Sequence, residues 1–254
     1  MNDTIWLGLG LATLAGFSTV LGSLLATAVR NPGPRFMVLT LGFSAGVMLL
    51  VSFSELLPHG VSTIGFLPAH LAFFSGMALM FIVDLVIPHQ YLGGEKPAVH
   101  ERLDGRYLRT GVFIALGIAI HNFPEGMATF AGTMESPRLG LAIAAAVAIH
   151  NIPEGLAVSG PIYAATGSRR KAFLWSFVSG MSEPLGAVLT ALILLPFLSS
   201  TLLGIVLAGV AGVMVFISLD ELVPVACSLC DNHLPIVGVL AGMVLMSVSL
   251  WLLG

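Results

Sequence analysis

Residues Gly111–Gly132 read GVFIALGIAIHNFPEGMATFAG. This stretch is long and apolar enough to cross the hydrocarbon core of a bilayer as a helix, which takes about 20 residues. Its centre nevertheless contains a histidine, an asparagine, a proline and a glutamate. Ionisable groups at that depth are costly, and by default they mark functional positions. The stretch therefore predicts a membrane-spanning helix with a polar site in its middle.

The composition of the whole chain indicates the same class of protein. Of its 254 residues, 57% are hydrophobic and 9% are charged, whereas a soluble domain carries about 25% charged residues. This is too little charge to cover a water-soluble surface. Two cysteines are too few for a secreted disulfide scaffold, and a net charge of -3 without a basic stripe excludes a nucleic-acid-binding protein. An integral membrane protein remains.

Eight apolar stretches qualify as spans. They lack the alternation of barrel strands, so we predict an all-α fold with eight transmembrane helices. The one long polar segment, residues 90–109, predicts a loop, and we expect residues 1–254 to form a single polytopic membrane domain. The predicted spans are approximately residues 6–29, 36–57, 66–87, 111–132, 139–163, 172–195, 202–225 and 234–253.

The basic residues predict the orientation of the chain. Nine of the ten Lys and Arg residues fall in the first, third and fifth loops, and only Arg138 falls in the fourth. Cytoplasmic loops of membrane proteins collect basic residues. We therefore expect the odd-numbered loops, including residues 90–109, to face the cytoplasm and both termini to be extracytoplasmic.

Three glutamates, Glu125, Glu154 and Glu183, fall well inside the predicted spans, and no Lys or Arg lies at that depth to pair with them. A charge at the bilayer centre costs at least about 2.5 kcal/mol. Either these carboxyl groups are protonated, or a cation that is not part of the chain lies among them. The alternative, glutamates that only hydrogen-bond neighbouring helices, fits one isolated acid better than three accompanied by His and Asn.

A six-residue motif occurs twice around these acids. Residues His121–Gly126 read HNFPEG, and residues His150–Gly155 read HNIPEG. Residues three and four apart share a helix face, so each glutamate faces the same way as the His and Asn of its motif, which suits a carboxylate bridging two metal ions. The predicted metal ligands are His121, Asn122, Glu125, His150, Asn151, Glu154 and Glu183.

A proline adjoins each of the three glutamates, at Pro124, Pro153 and Pro184. Proline lacks an N–H, so it kinks a helix and frees a backbone carbonyl oxygen. Irregular backbone at membrane depth is tolerated where it lines a cavity. We therefore expect kinked helices 4, 5 and 6 to form a central metal site, and the glycine that ends each HNxPEG motif to allow close helix approach.

The ligand set indicates the kind of cation. It comprises two imidazoles, two amide oxygens and three carboxylates. Imidazole with carboxylate suits Zn²⁺, Fe²⁺, Mn²⁺ or Co²⁺, whereas Mg²⁺ and Ca²⁺ prefer oxygen ligands alone. We expect a divalent metal ion, zinc or iron, as a transported substrate and no resident cofactor.

Further ionisable residues lie near the ends of the spans. Glu55 and His59, at the outer end of the second span, are placed to attract incoming cations. For these two residues, and for the residues at the inner ends named next, the alternative interpretation is an ordinary solvated helix end. The predicted exit route at the inner ends comprises Asp84, His89, Asp220 and Glu221.

Two rival functions are compatible with parts of the sequence. Residues Gly42–Gly46 match GxSxG, the nucleophile elbow of hydrolases, which would suit an intramembrane protease. The match lies in an apolar helix, where its glycines fit a small-residue packing face better, and no HExxH motif occurs, so we do not expect an enzyme. A proton or monovalent-cation channel would use the same acids, but such ions do not require nitrogen ligands.

The two HNxPEG motifs on consecutive spans resemble those of the ZIP (Zrt/Irt-like) family of divalent metal transporters, in particular its bacterial ZupT-type branch. The resemblance covers essentially the whole chain, including Ser44–Gly46, the Glu183 motif and Asp220–Pro224. It implies eight helices with both termini outside, a homodimer in the lipid bilayer, and location in the cytoplasmic (inner) membrane of a bacterium. It also implies uptake of zinc, and of iron, manganese, cobalt or cadmium.

The resemblance further implies a two-metal centre in which Glu125 and Glu154 bridge both metals. The first position would be lined by His121, Glu125, His150 and Glu154. The second would be lined by Asn122, Glu125, Asn151, Glu154 and Glu183.

Overall fold

The structure is a computed structural model that describes residues 2–28, 33–86, 106–194, 197, 199–230 and 232–253. The predicted exit residue His89 and most of the loop predicted at residues 90–109 lie outside this described part of the chain.

The described residues form eight helices, and seven of them are long and apolar enough to cross a membrane. The exception by that measure is the fourth helix, which contains the first HNxPEG motif. In the described part of the chain the regular secondary structure is entirely helical and includes several long apolar helices, which confirms the predicted class of fold. The helices are α1 (Asn2–Ala28), α2 (Pro34–Ile64), α3 (Phe66–Val86), α4 (Arg106–Glu135), α5 (Pro137–Thr166), α6 (Arg169–Ile193), α7 (Ser200–Ser228) and α8 (Leu234–Leu253).

Short polar caps separate the central helices. Ser136 alone connects α4 to α5, and its hydroxyl oxygen accepts a hydrogen bond from the Leu139 N–H at 3.1 Å, with Pro137 as the first residue of the new helix. Gly167 ends α5 with a φ of +62°, a left-handed conformation that favours glycine. Because a one-residue connection reverses the chain, α4 and α5 are antiparallel neighbours.

Helix α2 differs from its predicted bounds. The sequence predicts an end at Leu57, before Pro58, but the helix continues to Ile64 and ends at Gly65, where φ is +86°. A π-helical turn, Ser52–Leu56, precedes Pro58 and accommodates the missing N–H donor within a continuous helix. Two further π-helical turns occur in the described residues, Thr190–Leu194 at the end of α6 and Ser218–Leu222 in α7. Helix α6 is interrupted by a turn at Met181.

The helices pack in two groups. In the first, α1 lies against α4, α5 and α6, which also contact one another. In the second, α2 lies against α8 and α7, and α3 lies against α7. The groups meet where α4 contacts α7 and α5 contacts α2. In its most apolar stretch α7 is 67% buried and α3 only 22%, so α7 lies towards the centre of the described helices and α3 at their exposed edge.

The GxSxG stretch forms part of the seam between α2 and α8. Gly46 lies directly against the backbone carbonyl of Val239, and Gly242 of α8 lies against the carbonyl of Phe43. The Ser44 hydroxyl is fully buried and lies 4.0 Å from the Met48 sulfur. The stretch therefore acts as the small-residue packing face that the sequence favoured over a nucleophile elbow.

Replacing Gly46 with alanine is expected to lower the thermal stability of the protein. The added Cβ would overlap the carbonyl oxygen of Val239, a backbone atom that cannot rotate away, and such overpacking costs about 1–3 kcal/mol. Gly10→Ala is the matched control, because nothing lies within 4 Å of a Cβ at that position. Thermal unfolding of the purified protein in detergent tests this, and equal melting temperatures for the two variants would contradict it.

Candidate metal centre

The seven predicted ligand side chains all lie in the first helix group, on α4, α5 and α6. Each of them is at most 1% exposed, and Pro124 and Pro153 lie inside helices that continue past them. The structure thus brings the two HNxPEG motifs and the Glu183 motif together in the protein interior. This agrees with the expectation of one polar centre.

The histidines and glutamates pair between helices. His121 Nε2 on α4 lies 3.0 Å from Glu154 Oε1 on α5, and His150 Nε2 on α5 lies 3.1 Å from Glu125 Oε1 on α4. The sequence predicted that each histidine faces the glutamate of its own motif. The antiparallel packing of α4 and α5 adds a reciprocal exchange, in which each helix supplies the histidine for the other helix's carboxylate.

Three of these side chains can reach one cation. One ligand atom each from His121, Glu125 and Glu154 lies within 4.8 Å of the other two. Imidazole nitrogen with two carboxylates is a donor set suited to a divalent transition metal.

Several buried ligand atoms at this centre have no hydrogen-bond partner among the described residues. A buried polar atom without a partner costs about 1–3 kcal/mol, so a cation that bound any of these atoms would offset part of that cost. The donor set therefore fits a metal ion by its unpaired atoms as well as by its chemistry. The atoms are His121 Nδ1, Glu125 Oε2, His150 Nδ1, Asn151 Oδ1 and Glu183 Oε2.

The two asparagines connect the acids to the surrounding backbone. The Asn151 amide nitrogen donates to Glu183 Oε1 and, at 3.0 Å, to the carbonyl oxygen of Ala15 on α1. With its amide oriented to satisfy its neighbours, Asn122 donates to the carbonyl of Ile118 at 2.8 Å and to Glu154 Oε2 at 3.3 Å. The second predicted group of ligands therefore contacts the first through Glu154.

Glycine allows the helices around the centre to approach this closely. Gly126 lies against the backbone carbonyl of Glu183, and Gly155 lies against that of Thr19 on α1. Alanine at either position would place its Cβ on a carbonyl oxygen. The predicted role of the glycine that ends each motif is confirmed.

Helix α1 contributes to the centre in a way that the sequence analysis missed. Its carbonyl oxygens at Ala15 and Thr19 accept hydrogen bonds from Asn151 and from the Ser176 hydroxyl, the latter at 3.0 Å. Backbone acceptors leave no residue-type signal in a sequence. The small residues Gly16 and Gly22, which lie against α6 and α5, are the only trace of this contact that the sequence offers.

Two of the predicted pathway residues lie near different residues of the centre. Glu55 lines a cavity that also contains Glu125 and His150 and is otherwise apolar, with Ile143, Val147 and Met214 among its walls. Glu221 is 5% exposed. A Cβ at Gly117, one turn before His121 on α4, would lie 2.9 Å from Glu221 Oε2.

Asp84 and Asp220 lie on the same side as Glu221. Both interact electrostatically with the Glu221 carboxylate, as His121 also does. Asp84 and Asp220 therefore lie near Glu221, Glu55 shares a cavity with two residues of the centre, and the fifth predicted pathway residue, His89, lies outside the described residues.

Comparison with known proteins gives consistent matches. The model of the family described as "ZIP Zinc transporter" matches residues 88–250. A protein of Chlorobium phaeovibrioides is 50% identical over 268 aligned positions that cover all of both chains. One of Corynebacterium aurimucosum is 47% identical with 97% of each chain covered, and one of Lysinibacillus sphaericus is 46% identical with all of each chain covered.

Each of these three relatives is named zinc transporter ZupT. With about half of all positions identical over full length, and with a family model that matches most of the chain, this protein belongs to the ZIP zinc transporter family.

Proposed function

We propose that this protein transports zinc into the cytoplasm through the His/Asn/Glu centre on α4, α5 and α6. The observation that supports this most directly is the reciprocal His121–Glu154 and His150–Glu125 pairing, buried in the helices and flanked by unpaired ligand atoms. The naming of the relatives as zinc transporters supports the same substrate. A transporter rather than an enzyme is the function proposed, and the metal is cargo, not a cofactor.

The centre is proposed to hold metal at two adjacent positions bridged by Glu125 and Glu154. The first is formed by these glutamates with His121 and His150, and the cluster of three ligand atoms within 4.8 Å supports it. The second is formed with Asn122, Asn151 and Glu183. Ligation by neutral amides in place of some carboxylates keeps the affinity moderate, which suits an ion that must be released.

The route through the protein is proposed to run from Glu55 to the centre and on to Glu221. The cavity that joins Glu55 to Glu125 and His150 supports the first part. The position of Glu221 beside Gly117, together with Asp84 and Asp220, supports the second. Successive carboxylates allow a cation to exchange water for protein oxygen in steps instead of in one costly step.

The proposed setting is the cytoplasmic (inner) membrane of a bacterium, with eight spans and both termini outside. Seven helices of sufficient length and apolarity support a multi-pass protein, and α4 is proposed as the eighth span. A homodimer is the proposed assembly. A proton or monovalent-cation channel is not favoured, because neither ion requires the imidazole pair.

Loss of either bridging glutamate is expected to abolish transport. In proteoliposomes that contain a trapped zinc indicator, Glu125→Ala and Glu154→Ala should each reduce zinc uptake roughly tenfold or more, since each removes a ligand of both positions. Glu135→Ala is the matched control, because Glu135 lies exposed at the end of α4, and it should transport normally. Undiminished uptake by both bridging variants would contradict the proposed centre.

The metal ions that best inhibit zinc uptake should be those that prefer sites containing imidazole. Cadmium, cobalt, manganese and iron(II) in modest excess are expected to slow zinc uptake, whereas magnesium and calcium in large excess are not. The double variant His121→Ala/His150→Ala should narrow this difference in inhibition, since it leaves a site made of oxygen ligands alone. Inhibition of the unaltered protein by magnesium as strong as that by cadmium would argue against an imidazole-based centre.

The proposed orientation places the connection between α7 and α8 in the cytoplasm. Cys227, which is exposed, and Cys230 lie in this region and carry free thiols. A membrane-impermeant maleimide should therefore label them only after the cells are permeabilised. A Cys227→Ser/Cys230→Ser variant with Asn2→Cys, the opposite control, should be labelled in intact cells. Labelling of Cys227 from outside would overturn the orientation.

A further inference from the structure

A second internal repeat links α2 to α7. Residues Ala45–Pro58 read AGVMLLVSFSELLP, and residues Ala211–Pro224 read AGVMVFISLDELVP. Eight of the fourteen positions are identical, at an offset of 166 residues. Glu55 and Glu221 occupy the same position in the two copies.

The two copies share an unusual local structure. Each contains a π-helical turn of the same five positions, Ser52–Leu56 and Ser218–Leu222. In each, the serine that starts the turn donates its hydroxyl hydrogen to a methionine carbonyl four residues earlier, at 2.7 Å and 2.8 Å. In each, the N–H of the residue after the turn bonds to the carbonyl of the same serine. π-helical turns are frequently found at functional sites.

The two turns also pack reciprocally. The turn in α2 lies against the preceding helical part of α7, and the turn in α7 lies against the preceding helical part of α2. This reciprocal packing resembles the arrangement at the metal centre, where the histidine of each of α4 and α5 contacts the glutamate of the other. The repeat therefore places its two glutamates at equivalent positions of α2 and α7, which contact α5 and α4, the two helices of the paired His–Glu core.

Each glutamate faces a different half of that core. Glu55 shares its cavity with Glu125 and His150, both 1% exposed, and Glu125 Oε2 has no partner among the described residues. Glu221 interacts electrostatically with His121, which is fully buried and whose Nδ1 likewise has no partner in the described part of the chain. Each side thus combines a flanking carboxylate with an unpaired ligand atom of the centre.

The two copies differ at the residue before the glutamate. Asp220 precedes Glu221 and interacts with it electrostatically, as does Asp84 from α3. Ser54 stands at the equivalent position before Glu55. Both turns have the same backbone hydrogen bonds, so an acid at position 54 would have the same backbone position relative to Glu55 as Asp220 has to Glu221, although Ser54 and Glu55 are exposed and Glu221 is buried.

We propose that Glu55 and Glu221 form two matched flanking sites for the divalent cation in transit, and that the Ser54/Asp220 difference makes them unequal. The outer site, with one carboxylate, collects the cation weakly and passes it quickly to Glu125 and His150. The inner site, with Asp84 and Asp220 beside Glu221, holds the cation more tightly before release. Residues 54 and 220 therefore set the apparent affinity on their own side of the membrane. This inference rests on the proposed transport of zinc.

Vesicles of defined sidedness test the proposal. Initial rates of radioactive zinc uptake into right-side-out and inverted membrane vesicles, with pH and potential equal on both sides, give one KM for each face. The unaltered protein should show a KM about fivefold lower at the inner face, since added carboxylates strengthen the attraction for a divalent cation. Ser54→Asp should lower only the outer KM, and Asp220→Ser should raise only the inner KM.

Isosteric variants control for effects of shape. Ser54→Asn should leave the outer KM unchanged, whereas Asp220→Asn should act like Asp220→Ser, because charge is what matters. The double variant Ser54→Asp/Asp220→Ser should reverse the order of the two KM values. Changes that appear at both faces, or KM values that are equal in the unaltered protein, would overturn the inference. Absence of zinc flux in both kinds of vesicle would instead overturn the proposed function.

Discussion

The reciprocal hydrogen bonding of His121 with Glu154 and of His150 with Glu125 is the constraint on which the rest of the structure depends. Carboxylates this deep in an apolar protein are costly unless another polar group meets them. Each helix of the α4–α5 pair supplies the histidine that pairs with the other helix's glutamate, so the position of each helix depends on the other. The requirement fixes the rotation of both helices, and it directs the four side chains towards one point.

Close approach of the neighbouring helices follows from that requirement. Asn151 bonds to Glu183 where Gly126 brings α4 against the backbone of α6 and Gly155 brings α5 against the backbone of α1. In a membrane, where lipid competes equally for apolar surface, packing contacts and interhelical hydrogen bonds hold helices together. Small residues and buried polar residues therefore act together here. The small residues bring the helix backbones close, and the polar side chains then form hydrogen bonds between the helices.

Much of this arrangement could be predicted from the sequence, and what could not has identifiable causes. The apolar lengths predicted the helices, and the repeated HNxPEG motif selected the ligands that the structure brings together. The continuation of α2 past Pro58 was missed because a π-helical turn absorbs the lost donor, and proline alone does not reveal this. Pairing of His121 with Glu154 was missed because helical spacing reports neighbours on one helix, not across two. The hydrogen bond from Asn151 to the Ala15 carbonyl was missed because every residue has a backbone carbonyl, so the residue type does not reveal such an acceptor.

The single residue between α4 and α5 has a consequence for how the chain enters the bilayer. Ser136 makes the two helices a tight hairpin in which the histidine of each helix contacts the glutamate of the other. A lone helix that carries His121 and Glu125 would expose them to lipid, at a cost of about 2.5 kcal/mol or more for the carboxylate. A hairpin that inserts as a unit pairs Glu125 with His150 and Glu154 with His121 from the start. Membrane insertion and ion binding thus both favour a short connection between α4 and α5. A longer connection would let the two helices separate during insertion, before their histidines and glutamates can pair.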